Sequence, residues 1–125
     1  MKSFIVLSTI LNVIFLMLHE LDACFQHEWK MIKFLQVFKE RTQYLIFLYF
    51  HIPLFMFFIY YLWVVNHSQY FSLWIIINIL SVLHLIIHLF ALKWRSNVFQ
   101  TFTSFFFIGG AAATGLLNLL LYNYY

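Results

Sequence analysis

Four long apolar segments constrain the fold of this chain more than any other feature of its sequence. They cover residues 4–23, 44–65, 70–92 and 102–122. A helix needs about 20 apolar residues to cross a bilayer, and backbone groups in lipid must be hydrogen-bonded within the segment. We therefore expect helices, although the abundant Phe, Ile and Val would favour strands in water. The sequence predicts an all-α, four-transmembrane-helix bundle, an integral membrane protein with one domain over residues 1–125.

The charge content supports this prediction and excludes a soluble domain. Only 9% of the residues are charged and 65% are hydrophobic, whereas soluble domains usually carry about 25% charged residues. The apolar surplus must face lipid, so the first partner that we expect is the bilayer itself. The seven basic residues cluster in loops and match no nucleic-acid motif, so we expect no nucleic acid as a partner.

The loop charges predict how the helices are oriented. Six of the basic residues fall in two loops, after the first and third segments: Lys30, Lys33, Lys39, Arg41, Lys93 and Arg95. Loops rich in Lys and Arg stay in the cytoplasm, which places both termini outside a cytoplasmic (inner) membrane. Aromatic residues suited to the outer interface lie at the other helix ends: Tyr60, Tyr61, Trp63, Tyr70, Tyr122, Tyr124 and Tyr125.

The N-terminal segment has a second interpretation. Residues 1–18 resemble the apolar part of a signal peptide, and "LDAC" resembles an altered lipoprotein cleavage site that ends at Cys24. Four basic residues follow within twenty positions, and such charges resist translocation. We therefore favour a retained helix. Because Cys24 is the single cysteine, an intrachain disulfide is excluded.

The stretch "GGAAATG", Gly109 to Gly115, indicates a close helix contact in the fourth segment. Small residues let a second backbone approach, either within the bundle or between subunits of a homo-oligomer. Pro53 lies inside the second segment, where membrane helices commonly accommodate a proline kink.

Ionisable residues converge at one depth of the predicted bundle. His19, Glu20 and Asp22 end the first helix, His51 lies in the second, and His84 and His88 lie in the inner half of the third. Such groups are costly in the membrane, at about 2.5–3.5 kcal/mol for an Asp at a helix centre. We expect them to face the interior of the bundle and to contact one another. Glu28 is expected to point away, and His67 to be solvated in the outer turn.

These residue types suit a metal site. The i,i+4 spacing of His84 and His88 lets two imidazoles bind one ion, and His with carboxylates suits zinc or non-haem iron or manganese. Glu20 is the candidate catalytic base beside a metal-bound water. The predicted metal ligands are His19, His84 and His88, with Asp22 or Glu20 as the carboxylate, and His51 as a ligand or a supporting residue.

Three other interpretations remain open at this stage. Haem could be held between His51 and His84, although the carboxylates would then have no role. His, Asp and Glu could also line a proton or ion pathway. Finally, the cluster could simply fasten the helices of a non-catalytic subunit or scaffold. The leading hypothesis is a small metal-binding membrane protein, as an enzyme acting on a lipid-like substrate at the cytoplasmic face.

Residues 19–29, "HELDACFQHEW", resemble a signature of small, uncharacterised bacterial membrane proteins with four predicted helices. In that group a His-Glu-x-Asp-Ala run is followed by His-Glu-Trp. The resemblance implies a class of protein and no activity. Ser81, Asp22 and "HLIIH" (residues 84–88) are more distantly similar to the zinc-binding pattern of membrane hydrolases of the ceramidase type, which have seven spans.

The loop "KMIKFLQVFKER", residues 30–41, alternates basic and apolar residues. Met31, Phe34, Leu35 and Phe38 fall on one side at helical spacing, with three lysines among them. This pattern favours a helix lying against anionic headgroups over one that docks a partner protein.

Overall fold

The computed structural model describes residues 2–67, 71–93, 98 and 101–121. The predictions for Tyr70, Arg95, Tyr122, Tyr124 and Tyr125 lie outside these residues. Four α-helices run in the order α1 (Lys2–Phe25), α2 (Glu40–His67), α3 (Phe71–Ala91) and α4 (Phe102–Leu120). Two short 3₁₀ helices, Glu28–Met31 and Lys33–Val37, lie between α1 and α2.

All four α-helices are long and apolar enough to cross a membrane. The described residues include no strand. The predicted all-α class, with four helices able to span a membrane, is therefore confirmed, and these helices fit a multi-pass membrane protein. The single-domain organisation, the identity of the membrane and the side on which the termini lie stay predictions.

Three of the helices pack closely, and the fourth is peripheral. α4 lies between α1 and α3 and makes extensive contacts with both, whereas α2 rests mainly on α1 and touches α3 little. A smaller share of α2 is buried than of any other helix. Pro53, within α2, has its ring on the exposed side and does not interrupt the helix.

The small residues of α4 form a contact inside the bundle. A Cβ on Gly115 would lie 2.9 Å from the Asn78 carbonyl oxygen and 3.1 Å from Ser81 Cβ, and one on Gly110 would lie 2.7 Å from the Phe15 ring. These glycines therefore let α4 approach α3 and α1. Gly109 has open space around it, and a homo-oligomer through this face stays a prediction.

A set of neutral polar side chains, which we call the amide network, links α1, α3 and α4. Asn12 Nδ2 donates to the Ala111 carbonyl at 2.7 Å, and Asn118 Nδ2 donates to Asn78 Oδ1 at 2.8 Å. Ser81 Oγ donates to Asn12 Oδ1 at 3.3 Å. All three asparagines are fully buried. Because hydrogen bonds replace the water that lipid lacks, this network can exist within the bundle.

Candidate metal centre

Three histidines from two helices meet at one end of the bundle. His19 lies near the end of α1, and His84 and His88 lie one turn apart on α3, so that both face α1. The His19 ring centroid is 4.8 Å from that of His84 and 4.9 Å from that of His88. We call His19, His84 and His88 the histidine triad.

The ring nitrogens of the histidine triad lie close enough to share an ion. One ligand atom from each residue can be chosen so that all three lie within 4.8 Å of one another. His84 Nε2 and His88 Nε2 are 3.1 Å apart. Two nitrogens on a tetrahedral zinc are about 3.3 Å apart, given Zn–N bonds of about 2.0–2.1 Å. The triad could therefore hold a metal after a small inward movement of His19.

Burial separates the triad from water. His19 is 1% exposed and His88 is 8% exposed, while His84 is partly buried. The Glu20 carboxylate is near enough to interact electrostatically with all three rings. A cation at the triad would therefore have a negative charge beside it in a site with little water.

Glu20 is held in place by His51 of α2. His51 Nε2 lies 3.1 Å from Glu20 Oε2, and His51 Nδ1 lies 2.7 Å from the Phe47 carbonyl oxygen. Because a carbonyl only accepts, Nδ1 must carry a hydrogen and donate it, which fixes the ring orientation. Both ring nitrogens of His51 are thus engaged, and His51 contacts the carboxylate rather than the triad. Cys24 Sγ lies 4.0 Å from His51 Nε2.

Asp22 is turned toward α4. Its carboxylate accepts a hydrogen bond from Ser104 Oγ, and Gln26 Nε2 donates to it at 3.4 Å. Thr101 caps the same helix end, since its Oγ1 accepts from the Ser104 backbone N–H at 3.1 Å. An anion is stabilised at a helix N-terminus, so Asp22 fastens the end of α1 to the start of α4. These contacts agree with the structural alternative for the cluster, although the sequence did not predict that the partner of Asp22 would be Ser104 on α4.

Glu28 lies differently from its predicted position. Its Oε1 is buried and has no hydrogen-bond partner among the described residues. Burial, together with the nearby charges of Glu20 and Asp22, raises the pKa of Glu28 from 4.5 to about 7. The expectation that Glu28 points away was therefore wrong. The chain turns at His27, whose φ is 62°, and this turn brings Glu28 back toward the end of α1.

The two remaining histidines lie at the surface. His27 and His67 are both exposed, and His67 Nδ1 lies 2.9 Å from the Trp63 carbonyl oxygen. His67 lies at the end of α2, in agreement with the expectation that it is solvated.

The chain belongs to a family of unknown function (DUF6713), whose model matches residues 5–125. This membership agrees with the resemblance to small uncharacterised membrane proteins, whereas the His-Glu-x-Asp-Ala motif itself stays a prediction. Neither a curated protein nor a solved structure matches the chain.

Proposed function

We propose that this member of a family of unknown function is a membrane metalloprotein. In this proposal His19, His84 and His88 bind one divalent ion, and Glu20 supplies the neighbouring carboxylate. The observation that carries the proposal is the convergence of three imidazoles from α1 and α3. Imidazole nitrogens are preferred ligands of zinc, and one such nitrogen from each of the three rings lies within 4.8 Å of the others.

The donor set favours zinc among the metals considered. Three histidines and an open fourth position are typical of catalytic zinc sites, whereas non-haem iron sites combine two histidines with a carboxylate. Iron or manganese would therefore require Glu20 as a direct ligand. Because Glu20 Oε2 faces His51, the other carboxylate oxygen is the one available to an ion or to a water bound to it.

The proposed chemistry is metal-assisted hydrolysis of a lipid-like substrate. A metal ion lowers the pKa of its bound water to about 7, and Glu20 would accept the proton that this water releases. His51 would keep the Glu20 carboxylate oriented toward the triad, as supporting residues do in metal sites. The position of the triad inside a membrane-spanning bundle favours a substrate that enters from lipid.

A scaffold without metal is the second candidate function. It is favoured by Asp22 and the amide network, whose polar side chains join helices without any ligand. Haem held by His51 and His84 gains no support, since both nitrogens of His51 are engaged in hydrogen bonds. A proton pathway predicts pH-dependent flux in liposomes that Asp22→Asn abolishes.

Metal analysis of the purified protein tests the proposal. We expect one zinc, iron or manganese ion per chain in the wild type, and its loss in His84→Ala and in His88→Ala. His67→Ala is the matched control, because it removes an exposed histidine far along α2 and should leave the metal content unchanged. A folded wild type that stays metal-free after incubation with each ion would favour the scaffold.

A further inference from the structure

Residues 26–39, which we call the connecting segment, join two membrane-spanning helices at one surface of the bilayer. α1 ends at Phe25 and α2 begins at Glu40. Because both helices have the length and composition of a membrane span, the segment between them lies at the membrane–water interface. Its function is therefore independent of the proposed metal site.

Two buried side chains fix the connecting segment against the bundle. Trp29 and Leu35 are 3% and 2% exposed. The Trp29 ring lies 5.1 Å from that of Tyr44 and 5.9 Å from that of Phe47, both on α2. The segment thus has a defined inner face that packs on the first turns of α2.

Polar contacts hold the backbone of the connecting segment in shape. Gln36 Nε2 donates to the Lys30 carbonyl at 2.8 Å, and Gln43 Nε2 donates to the Phe38 carbonyl at 2.8 Å. Lys30 Nζ lies 2.6 Å from Glu40 Oε1. These contacts present the outer face of the segment as a preformed surface.

That outer face carries apolar side chains that the described part of the chain does not cover. Phe34 is 70% exposed and Val37 is 79% exposed, and Phe38 is also exposed. Phe25, at the end of α1, is exposed as well. Aromatic and aliphatic groups in such a position enter the boundary between headgroups and acyl chains.

Two cations of the connecting segment and a third in the first turn of α2 accompany these apolar residues. Lys33, Lys39 and Arg41 are exposed, and no acidic side chain among the described residues lies within ion-pairing distance of them. Of the two acids nearby, Glu40 already pairs with Lys30, and Glu28 is turned inward. The outer face is thus both apolar and positively charged.

We infer that the connecting segment binds the headgroups of anionic phospholipids. Phe34 and Val37 insert beside the acyl chains, while Lys33, Lys39 and Arg41 contact lipid phosphates. Charge complementarity selects an anionic lipid over a zwitterionic one, and the position of the segment between two helices able to span the membrane favours lipid over a soluble acidic partner.

Reconstitution with spin-labelled lipids tests this inference. The wild type in phosphatidylcholine vesicles should associate preferentially with spin-labelled phosphatidylglycerol over spin-labelled phosphatidylcholine. The triple variant Lys33→Gln, Lys39→Gln, Arg41→Gln should lose that preference, by up to about fivefold for each cation removed. Lys93→Gln, which removes an exposed cation after α3, is the matched control and should keep most of it. Metal-stripped protein should behave as the wild type does.

Several outcomes would overturn the inference. If the wild type shows no preference for phosphatidylglycerol, or if the triple variant keeps that preference, the three cations do not have the proposed role. A Phe34→Ser variant that changes the oligomeric state while the lipid preference persists would make this face a contact between copies of the chain.

Discussion

The amide network and the histidine triad are both buried polar clusters between α1 and α3, yet they differ in how their atoms are paired. In the amide network each contact joins a donor to an acceptor, as where Asn118 Nδ2 meets Asn78 Oδ1 at 2.8 Å. In the triad the contact joins two imidazoles, and His84 Nε2 and His88 Nε2 lie 3.1 Å apart, with the donor set by the tautomer of each ring. Burial of polar groups is common to both, so it does not by itself indicate a binding site.

The two kinds of side chain lead to different expectations about a ligand. Neutral hydrogen bonds in a membrane contribute about 0.6 kcal/mol on average, with a maximum near 1.7, and the hydrogen bonds of the amide network form between the helices without a ligand. Imidazole nitrogens, unlike side-chain amides, are common ligands of divalent transition metals. We therefore expect substitutions in the first cluster to change stability alone, and substitutions in the second to change metal binding.

The largest expected effect is a loss of zinc affinity, which substitutions in the histidine triad should cause and substitutions in the amide network should not. His88→Ala should weaken zinc binding more than about 100-fold, since even residues that only support a ligand are worth 10–100-fold. Titration of metal-stripped protein with zinc measures this change. The unfolding temperature of the metal-free variant should stay close to that of metal-free wild type, and a large drop would mean that His88 serves mainly to hold the helices together.

The second effect concerns the helix contact beside the amide network. Gly115→Ala should lower the free energy of unfolding by about 1–3 kcal/mol, because its Cβ would meet the Asn78 backbone at 2.9 Å and overpacking has costs of this size. Thermal unfolding in detergent measures it. Gly109→Ala is the matched control, with nothing within 4 Å, and equal losses in the two variants would contradict the close approach.

A smaller loss is expected within the amide network itself. Asn78→Ala removes the acceptor for Asn118 and should destabilise the protein by about 1 kcal/mol. Zinc content should not change, because Asn78 lies about two turns from His84 along α3. A variant that unfolds normally but loses its metal would show that the two clusters are coupled.

The smallest expected effect is the pH dependence of stability that Glu28 causes at the end of the bundle with the ionisable residues. Since the pKa of Glu28 is raised to about 7, the folded state binds more protons than the unfolded state between pH 4.5 and 7. Stability should therefore fall as pH rises through that window and level off above it. Glu28→Gln should remove this part of the slope, by about 1 kcal/mol or less because Glu28 is partly exposed. Unfolding temperatures at pH 5 and pH 8 measure it, and an unchanged slope would assign the pH dependence to other groups.

The helices and the meeting of the histidines were accessible from the sequence for clear physical reasons. Hydropathy sets which segments cross a membrane, and because the first and third helices cross in the same direction, their known rise brings His19 to the depth of His84 and His88. The cost of exposing such groups to lipid then predicts that they face inward. Depth and helical angle were enough because these residues lie within regular helices.

The contacts of Asp22 and Glu28 were not accessible in this way. The partner of Asp22 depends on where α4 begins. Thr101, about 80 residues later in the chain, caps that helix and so determines its first residue. The orientation of Glu28 depends on the left-handed turn at His27. The sequence does not indicate this conformation, because glycine, the residue that most often adopts it, is absent there. The sequence did contain an indication of the amide network, since Asn12, Asn78 and Asn118 interrupt apolar helices. Because these side chains are neutral, their burial in a membrane is less costly than that of a charge and points less clearly to a cluster.

The close packing of α1 on α4 has a consequence for how the protein is made. The bond from Asn12 to the Ala111 carbonyl spans 99 residues, so the ribosome completes α4 long after α1 has left it. Until then the buried polar side chains of α1, such as Asn12, must be kept from contact with lipid by the insertion machinery or by transient neighbours. The packing of α1 is therefore completed only after α4 has been synthesised, and a nascent chain arrested before α4 should be a preferred substrate for membrane quality-control proteases.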